Sequence, residues 1–158
     1  MKLEKASFDK FEERIIFYKG KTLQELKFIT PKWAYADNID KILDSTLHPK
    51  TNEYLIFNVD TEELFKKSEL YEVNNKLLFT EESLNDGRVA TILYRWDNGL
   101  FIDPPTIGTF DFKSKKLSFS DGRHRSKTAY FLGCEKIPIA IHKSQVEEVE
   151  KLIKLLPV

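Results

Sequence analysis

The sequence predicts an α+β fold, in which a small mixed β-sheet is flanked by helices and preceded by a mostly helical N-terminal extension. In the second half of the chain, segments rich in β-branched and aromatic residues alternate with segments of helical periodicity, and hairpin signals occur among them. A chain of 158 residues, 41% of them hydrophobic, can bury one core. Because no repeat or linker divides it, we expect one compact unit with an N-terminal extension over residues 1–53 and a main domain over residues 54–158.

The first apolar run of the extension is compatible with either helix or strand. Phe8, Phe11, Ile15 and Tyr18 follow the three- and four-residue spacing of a helix. Residues 15–18 are also compatible with a short strand, so both alternatives stay open at this point.

Capping signals predict where the helices begin. Thr22 with Glu25 has the form of a capping box, and Asp37 predicts the start of another short helix. Asp60 with Glu63 predicts the first helix of the main domain in the same way. The other predicted helices run over Arg123–Leu132, ending at Gly133, and from the Ser144/Glu147 capping pair through Leu156.

Five segments are predicted to be strands, each rich in β-forming residues and bounded by a turn signal. Arg88–Trp96 is the longest and ends at the turn 97–99. Tyr94 and Trp96 would then share one strand face as core residues, with stacking on a nucleobase as the minority alternative. The other predicted strands are Tyr54–Val59, Thr106–Phe112, Lys116–Phe119 and Ile137–His142.

The cysteine content and the hydropathy pattern narrow the class of protein. Cys134 is the only cysteine, so the chain can form neither an internal disulfide nor a metal site of several thiolates. No run approaches the roughly 18 apolar residues of a membrane span, and the N-terminus lacks the apolar stretch of a signal peptide. We therefore expect a cytoplasmic protein without a membrane partner.

The charges cancel over the whole chain but not locally. The chain has 25 basic and 25 acidic residues. Residues 60–86 contain eight acidic residues and three lysines, whereas residues 113–127 contain six basic residues and one aspartate. Solvated faces explain such runs equally well. The neutral total therefore does not exclude a local site for phosphate.

The segment with the clearest chemical signal runs from a strand through Gly122 into a helix. Backbone N–H groups and the helix dipole favour an anion at such a point, and Gly122 allows a ligand to approach the backbone. Arg123, Arg125 and Lys127 are unfavourable at this positive helix end unless a phosphate compensates them. The alternative is that these side chains point to water and that Gly122 serves only a turn.

Three further residues are candidates for chemistry near this turn. His124 is the only histidine inside the segment and is the candidate for proton transfer or phosphate contact. Its alternative role is a turn-capping hydrogen bond. Asp121 is a second catalytic candidate, and Asp103 with Asp121 could hold Mg²⁺ near bound phosphates. Asp121 suits an Asx turn equally well, and Asp103 suits a loop before the prolines.

The motif resembles a known superfamily. The order is Asp121–Arg125, then Ala129 inside a helix, Leu132-Gly133 at its end, and the strand Ile137–Ile141. Upstream, Ile102–Ile107 is similar to the proline-containing segment that opens a hairpin in the same superfamily. Together these residues resemble the signature of the ParB/sulfiredoxin fold superfamily. The resemblance extends over residues 54–142 and is specific over residues 105–141.

The resemblance implies roles for individual residues. Gly122, His124 and Arg125 match the positions that hold nucleotide phosphates, of CTP in ParB and of ATP in sulfiredoxin. Arg123 stands where sulfiredoxin has its catalytic cysteine, and Cys134 follows the helix, so we expect no sulfinic acid reduction. ParB proteins carry a helix-turn-helix domain after this fold, where this sequence has room for one helix, so we expect no full chromosome-partitioning role. Small nucleases and an ADP-dependent free-serine kinase also belong to the superfamily and remain open.

Two functional hypotheses follow. In the first, the chain is a phosphate-handling enzyme, an NTPase, nuclease or small-molecule kinase, that holds CTP, ATP or ADP at Gly122–Lys127, with or without Mg²⁺. In the second, it is a non-catalytic protein- or DNA-interaction module of a plasmid, phage or other mobile element. A nucleotide and, alternatively, DNA are the expected partners, and a homodimer is compatible with both hypotheses.

Overall fold

The fold is a five-stranded mixed sheet with helices packed around it, as the sequence predicts. The computed structural model describes residues 11–35, 53–70, 73–74, 76–109 and 116–158. The strands are β1 (Tyr54–Asp60), β2 (Ser68–Glu69), β3 (Thr106–Gly108), β4 (Leu117–Asp121) and β5 (Lys136–His142). The helices are α1 (Phe11–Lys19), α2 (Leu23–Leu26), α3 (Thr61–Lys66), α4 (Ser83–Asp97), α5 (Arg123–Phe131) and α6 (Val146–Glu150).

The sheet has the strand order β1-β5-β3-β4-β2. Its β1/β5 and β3/β4 pairs are antiparallel, and its β3/β5 and β2/β4 pairs are parallel. Pro105, just before β3, accepts a hydrogen bond from Ala140 N in β5 at 2.9 Å. The start of β3 is therefore held at the middle of the sheet. The antiparallel pairing of β3 with β4 confirms the predicted pair, while the predicted residues 110–112 and the turn 113–115 lie outside the described residues.

The prediction of a strand over Arg88–Trp96 is wrong, because these residues belong to α4. A strand would bury every second side chain, whereas the buried residues come in adjacent pairs one helical turn apart, Val89 with Ala90 and Leu93 with Tyr94. Packing of this face overrides the β-propensity of the local sequence. Tyr94 and Trp96 are buried core residues, which leaves neither ring exposed for stacking on a base.

The described residues of the N-terminal extension contain the helices α1 and α2, and these helices pack against the main domain. Tyr18 Oη donates a hydrogen bond to Asp97 at 2.9 Å, and Arg14 donates one to Thr91 Oγ1 at 2.9 Å. Residues 15–18 are part of α1, so the strand alternative for them is wrong. Phe8 and the helix predicted after Asp37 lie outside the described residues.

Most predicted helix starts are confirmed and one is not. Thr22 and Glu25 form a reciprocal capping box, with hydrogen bonds of 3.0 and 3.1 Å. Asp60 accepts a hydrogen bond from Glu63 N at 2.8 Å and caps α3. The capping box predicted at Ser144 does not form, because Lys143–Gln145 is a 3₁₀ turn in which Ser144 N donates to the His142 ring. The last helix begins at Val146 and ends at Glu150, so the prediction that it continues through Leu156 is wrong.

The core lies between the sheet and helices α3, α4 and α5. Its fully buried side chains include Val59, Leu64, Leu93, Ala129, Ile137, Ile139 and Ile141. Within the described ranges, no helix combines the length and apolar character needed to cross a lipid bilayer.

Leu93→Ala tests the packing of α4. Leu93 is fully buried, whereas Leu84 on the same helix is 54% exposed. We expect Leu93→Ala to lower the free energy of unfolding by about 2–5 kcal/mol, because it leaves a cavity. Leu84→Ala is the matched control and should change it by less than about 0.5 kcal/mol. Urea unfolding measures both variants, and equal effects would contradict the placement of this helix face.

Candidate functional site

Gly122 forms the turn between β4 and α5. It has φ 99° and ψ 19°, in the left-handed region, and is the residue before the first turn of α5. A Cβ at this position would lie 2.5 Å from Pro105 Cβ and 2.7 Å from Pro105 Cα. Glycine is therefore required here both by the backbone conformation and by the lack of space. The predicted strand–glycine–helix turn is confirmed.

A cleft of about 490 Å³ opens at this turn, between α4 and α5. Four of its lining residues are arginines, two from each helix, so we call it the arginine cleft. Among the described residues that line it, Asp121 is the only acidic one. The lining consists of Arg88, Thr91, Ile92, Arg95, Ile102, Ser120, Asp121, Gly122, Arg123, His124 and Arg125.

The arginines of α4 were not identified as site residues from the sequence. Arg88 and Arg95 are seven residues apart, with Thr91 and Ile92 between them at the spacing of one helix face. This spacing places the two arginines on the same face only if the segment is a helix. Because this segment was predicted to be a strand, the two arginines were not placed together.

Arg125 has two acceptors for one end of its guanidinium. Its Nη2 donates to Asp121 Oδ2 at 3.1 Å and to the carbonyl oxygen of Pro104 at 3.4 Å. Its Nε is buried, and no described residue accepts a hydrogen bond from it. That nitrogen lies 2.9 Å from where a Cβ on Gly122 would be, which places an unused donor beside the turn. The guanidinium therefore keeps hydrogen-bonding capacity at the turn.

His124 lines the cleft as a neutral imidazole at neutral pH. Burial lowers its pKa from 6.5 to about 4, and the positive charges of Arg88, Lys127 and Arg123 act in the same direction. A neutral imidazole offers one donor and one acceptor nitrogen. An anion bound among these arginines would offset their charge and raise the pKa of His124 again.

The structure places Lys127 outside the cleft, although it follows the motif directly. Its side chain is fully buried and its ammonium donates to Asn85 Oδ1 at 2.8 Å. Lys127 lies one helical turn after Arg123 and His124, but its ammonium reaches Asn85 of α4, and Lys127 is not among the residues that line the cleft. Direct contact with a phosphate, as the sequence suggested, does not fit this orientation.

The two aspartates proposed for Mg²⁺ have different surroundings. Asp121 lines the cleft and pairs with Arg125, whereas Asp103 is buried and is not among the lining residues. Within the described part of the chain, no group of three or more His, Cys, Asp or Glu side chains could hold a metal ion. The arrangement of described residues therefore fits anion binding by arginine better than binding of a metal ion by carboxylates.

Cys134 lies at the opposite end of α5 from the arginine cleft. It lines a different cavity, of about 540 Å³, together with acidic residues that include Asp60, Glu62 and Glu135. Burial raises the pKa of its thiol, which disfavours the reactive thiolate. This larger cavity contains none of the residues predicted for phosphate chemistry, and its acidic lining would repel phosphate.

The acidic run 60–86 and the basic run 113–127 do not correspond to one acidic and one basic surface. Asp86, at the end of the acidic run, is buried and bonded to Lys19 at 3.2 Å, whereas Asp60 lines the cavity at the far end of α5. Lys113 and Lys115 of the basic run lie outside the described residues. Among the described residues, the positive charge of the cleft comes from Arg123 and Arg125 of the basic run together with the two arginines of α4.

Gly122→Ala and Gly133→Ala form a matched pair that tests the turn. Both glycines have positive φ, 99° and 95°, but a Cβ at Gly133 would meet nothing within 4 Å. We expect Gly133→Ala to cost about 1–2 kcal/mol of unfolding free energy from backbone strain. Gly122→Ala should cost about 1–3 kcal/mol more, because its methyl group also meets Pro105. Urea unfolding compares them, and equal losses would contradict the close approach at Gly122.

The pKa of His124 predicts a dependence of stability on pH. Its pKa is about 4 in the folded chain and 6.5 without the surrounding structure, so the unfolded chain binds more protons between these values. The unfolding free energy should therefore fall as pH is lowered from 6.5 to about 4. His124→Gln should remove this part of the pH dependence, whereas His142→Gln, outside the cleft, should leave it unchanged. Denaturant unfolding across this range measures the effect, and an unchanged profile in His124→Gln would refute it.

No family model, curated protein or solved structure matches the chain. The residues, charges and geometry of the arginine cleft are therefore the grounds on which a function can be assigned.

Proposed function

We propose that the chain binds the phosphate groups of a nucleotide or nucleic acid in the arginine cleft. The observation that carries the proposal is the meeting of four arginines from two helices at one concave site that also contains the glycine turn. Four positive charges that line one cleft add up to a positive potential within it, and an anion bound there is attracted by all of them. Arginine matches phosphate in geometry as well as in charge, because it can donate two parallel hydrogen bonds.

The position of α5 supports the same ligand. The first residues of α5 line the cleft, and the helix dipole adds a partial positive charge at this end. The space where a Gly122 side chain would lie is filled by Pro105, so the glycine shapes the turn, and the anion in this proposal meets the start of α5 rather than the Gly122 Cα. The buried Nε of Arg125, for which no described residue is an acceptor, lies beside this same turn. Backbone and side-chain donors therefore converge at one point.

Membership of the ParB/sulfiredoxin fold superfamily is part of this proposal. The mixed sheet, the antiparallel β3/β4 pair and the left-handed glycine before α5 support it. The strand that carries Ile137–Ile141 pairs with β3 next to the turn, in keeping with the motif order. In this assignment Gly122, His124 and Arg125 hold the phosphates, as the resemblance implies.

The catalytic form of the proposal is an NTPase, nuclease or small-molecule kinase. Phosphoryl transfer depends mainly on positioning and on stabilisation of negative charge, which the arginines of both helices supply. His124 is neutral, so it can accept a proton within the cleft, and bound phosphate makes it a stronger base. Asp121, paired with Arg125, orients that guanidinium towards the turn.

A non-catalytic interaction module of a mobile element is the second candidate. Ile16 and Phe28 on the N-terminal part are 72% and 87% exposed and would supply apolar contacts to such a partner. In that case the arginine cleft contributes phosphate contacts to DNA without turnover. Such contacts weaken steeply as the salt concentration rises.

Isothermal titration with pyrophosphate, CTP, ATP and ADP, with and without Mg²⁺, and with a short DNA duplex tests the binding proposal. Arg88→Ala should weaken binding of the preferred ligand by about ten- to a hundredfold, because it removes one charge-assisted contact. Lys136→Ala is the control, since Lys136 is an exposed cation that does not line the cleft. Absence of heat with every ligand, or equal losses in both variants, would overturn the proposal.

A turnover assay separates the two candidates. For an enzyme, we expect phosphate release or strand cleavage that is lost in His124→Gln while ligand binding is retained. For an interaction module, we expect binding to DNA, a steep salt dependence and no turnover in the wild-type chain.

A further inference from the structure

Lys127 is a buried ammonium group outside the arginine cleft. None of its surface is exposed, and among the described residues its hydrogen-bond acceptor is Asn85 Oδ1, a neutral amide at 2.8 Å. Lysine is almost never fully buried unless it is paired with an acid. A core position filled by an apolar residue would avoid this desolvation. The presence of a lysine therefore points to a role other than stability.

Asn85 connects this ammonium to a buried carboxylate. Its Nδ2 donates to Asp86 Oδ1 at 2.8 Å and to the carbonyl oxygen of Leu78 at 3.1 Å. Asp86 also accepts hydrogen bonds from Thr80 N and from Lys19 Nζ, at 2.8 and 3.2 Å. The amide is therefore held in one orientation, with its oxygen directed at Lys127.

The contact between Lys127 and Asn85 joins the two helices that line the cleft. Asn85 precedes Arg88 by one helical turn on α4, and Lys127 follows Arg123 by one turn on α5. Both residues are buried, so the hydrogen bond lies beneath the cleft surface. Few alternative arrangements satisfy a buried lysine, an amide and a carboxylate together.

We propose that Lys127 is a positioning residue: through Asn85 it fixes the separation of the arginines of α4 from those of α5, so that both pairs reach the same anion. The inference rests on the proposed function of the cleft. Lys127 contacts neither solvent nor the anion, and it acts on affinity through the placement of Arg88.

A double-mutant cycle with inorganic pyrophosphate as the probe tests this role. Lys127→Met keeps the approximate shape of the side chain and removes the contact. We expect it to weaken pyrophosphate binding about tenfold. We also expect Arg88→Ala to have a smaller effect in the Lys127→Met background than in the wild type, because a displaced Arg88 contributes less. Lys136→Met, which removes an exposed cation, should change affinity less than about twofold.

The outcomes separate this inference from the proposed function. If wild-type protein binds no pyrophosphate, the proposed function is overturned and the inference with it. If wild-type protein binds but Lys127→Met binds equally well, or if the effects of Lys127→Met and Arg88→Ala simply multiply, the positioning role alone is overturned. A loss of stability without a change in this coupling would also contradict it, since a merely structural residue behaves in that way.

A pH profile of the wild-type protein provides a test that needs no variant. Burial lowers the pKa of Lys127 to about 8, although Asp86 on α4 and Glu82 directly before α4 favour its charged form. Arg88 on α4 and Arg123 on α5 are the charged groups of the same region, and His124 on α5, with a pKa of about 4, stays neutral over this range. Deprotonation removes the charge that strengthens the hydrogen bond to Asn85, so sulfate, which keeps its own charge over this range, should bind severalfold more weakly as pH rises through about 8 to 9. A flat profile would contradict the role of Lys127.

Discussion

The close approach of Gly122 to Pro105 is the constraint on which the cleft depends. Pro105 is bonded through its carbonyl oxygen to Ala140 in the middle of the sheet, so it cannot yield to a side chain at the turn. The backbone of Gly122 passes directly over it in a left-handed conformation, and α5 begins at the next residue. The direction in which Arg123 and Arg125 leave the helix is therefore set by the sheet.

Helix α4 forms the other side of the cleft, and its packing in the core determines its position. Helix α4 packs its buried pairs, such as Val89 with Ala90, against the rest of the domain, and this turns Arg88 and Arg95 towards α5. Tyr18 and Arg14 hold the same helix from the side of the N-terminal extension. The concentration of positive charge therefore arises where two independently packed helices meet. Sites that gather like charges in this way are commonly less stable than an apolar or neutral arrangement would be.

The sequence predicted correctly those features of the fold that depend only on a few neighbouring residues. The capping box of Thr22 and Glu25, the cap at Asp60 and the glycine after α5 are of this kind, and the structure confirms them. The strand prediction for residues 88–96 was wrong. The β-branched and aromatic residues of this segment favour a strand locally, but its buried side chains follow the period of a helix. The predicted Ser144/Glu147 capping box does not form, because the His142 ring accepts the hydrogen bond from Ser144 N.

By itself the sequence determined strands β1, β4 and β5, the helix that follows Gly122, the need for glycine at position 122 and the basic character of the turn that follows it. These properties depend on neighbouring residues, and local chemistry is sufficient to predict them. Only the tertiary structure decided that Arg88 and Arg95 join Arg123 and Arg125 at one cleft, and that Lys127 points away from it to Asn85. Both outcomes depend on how α4 and α5 pack, and that packing is a long-range contact between segments about 40 residues apart, which no local pattern encodes.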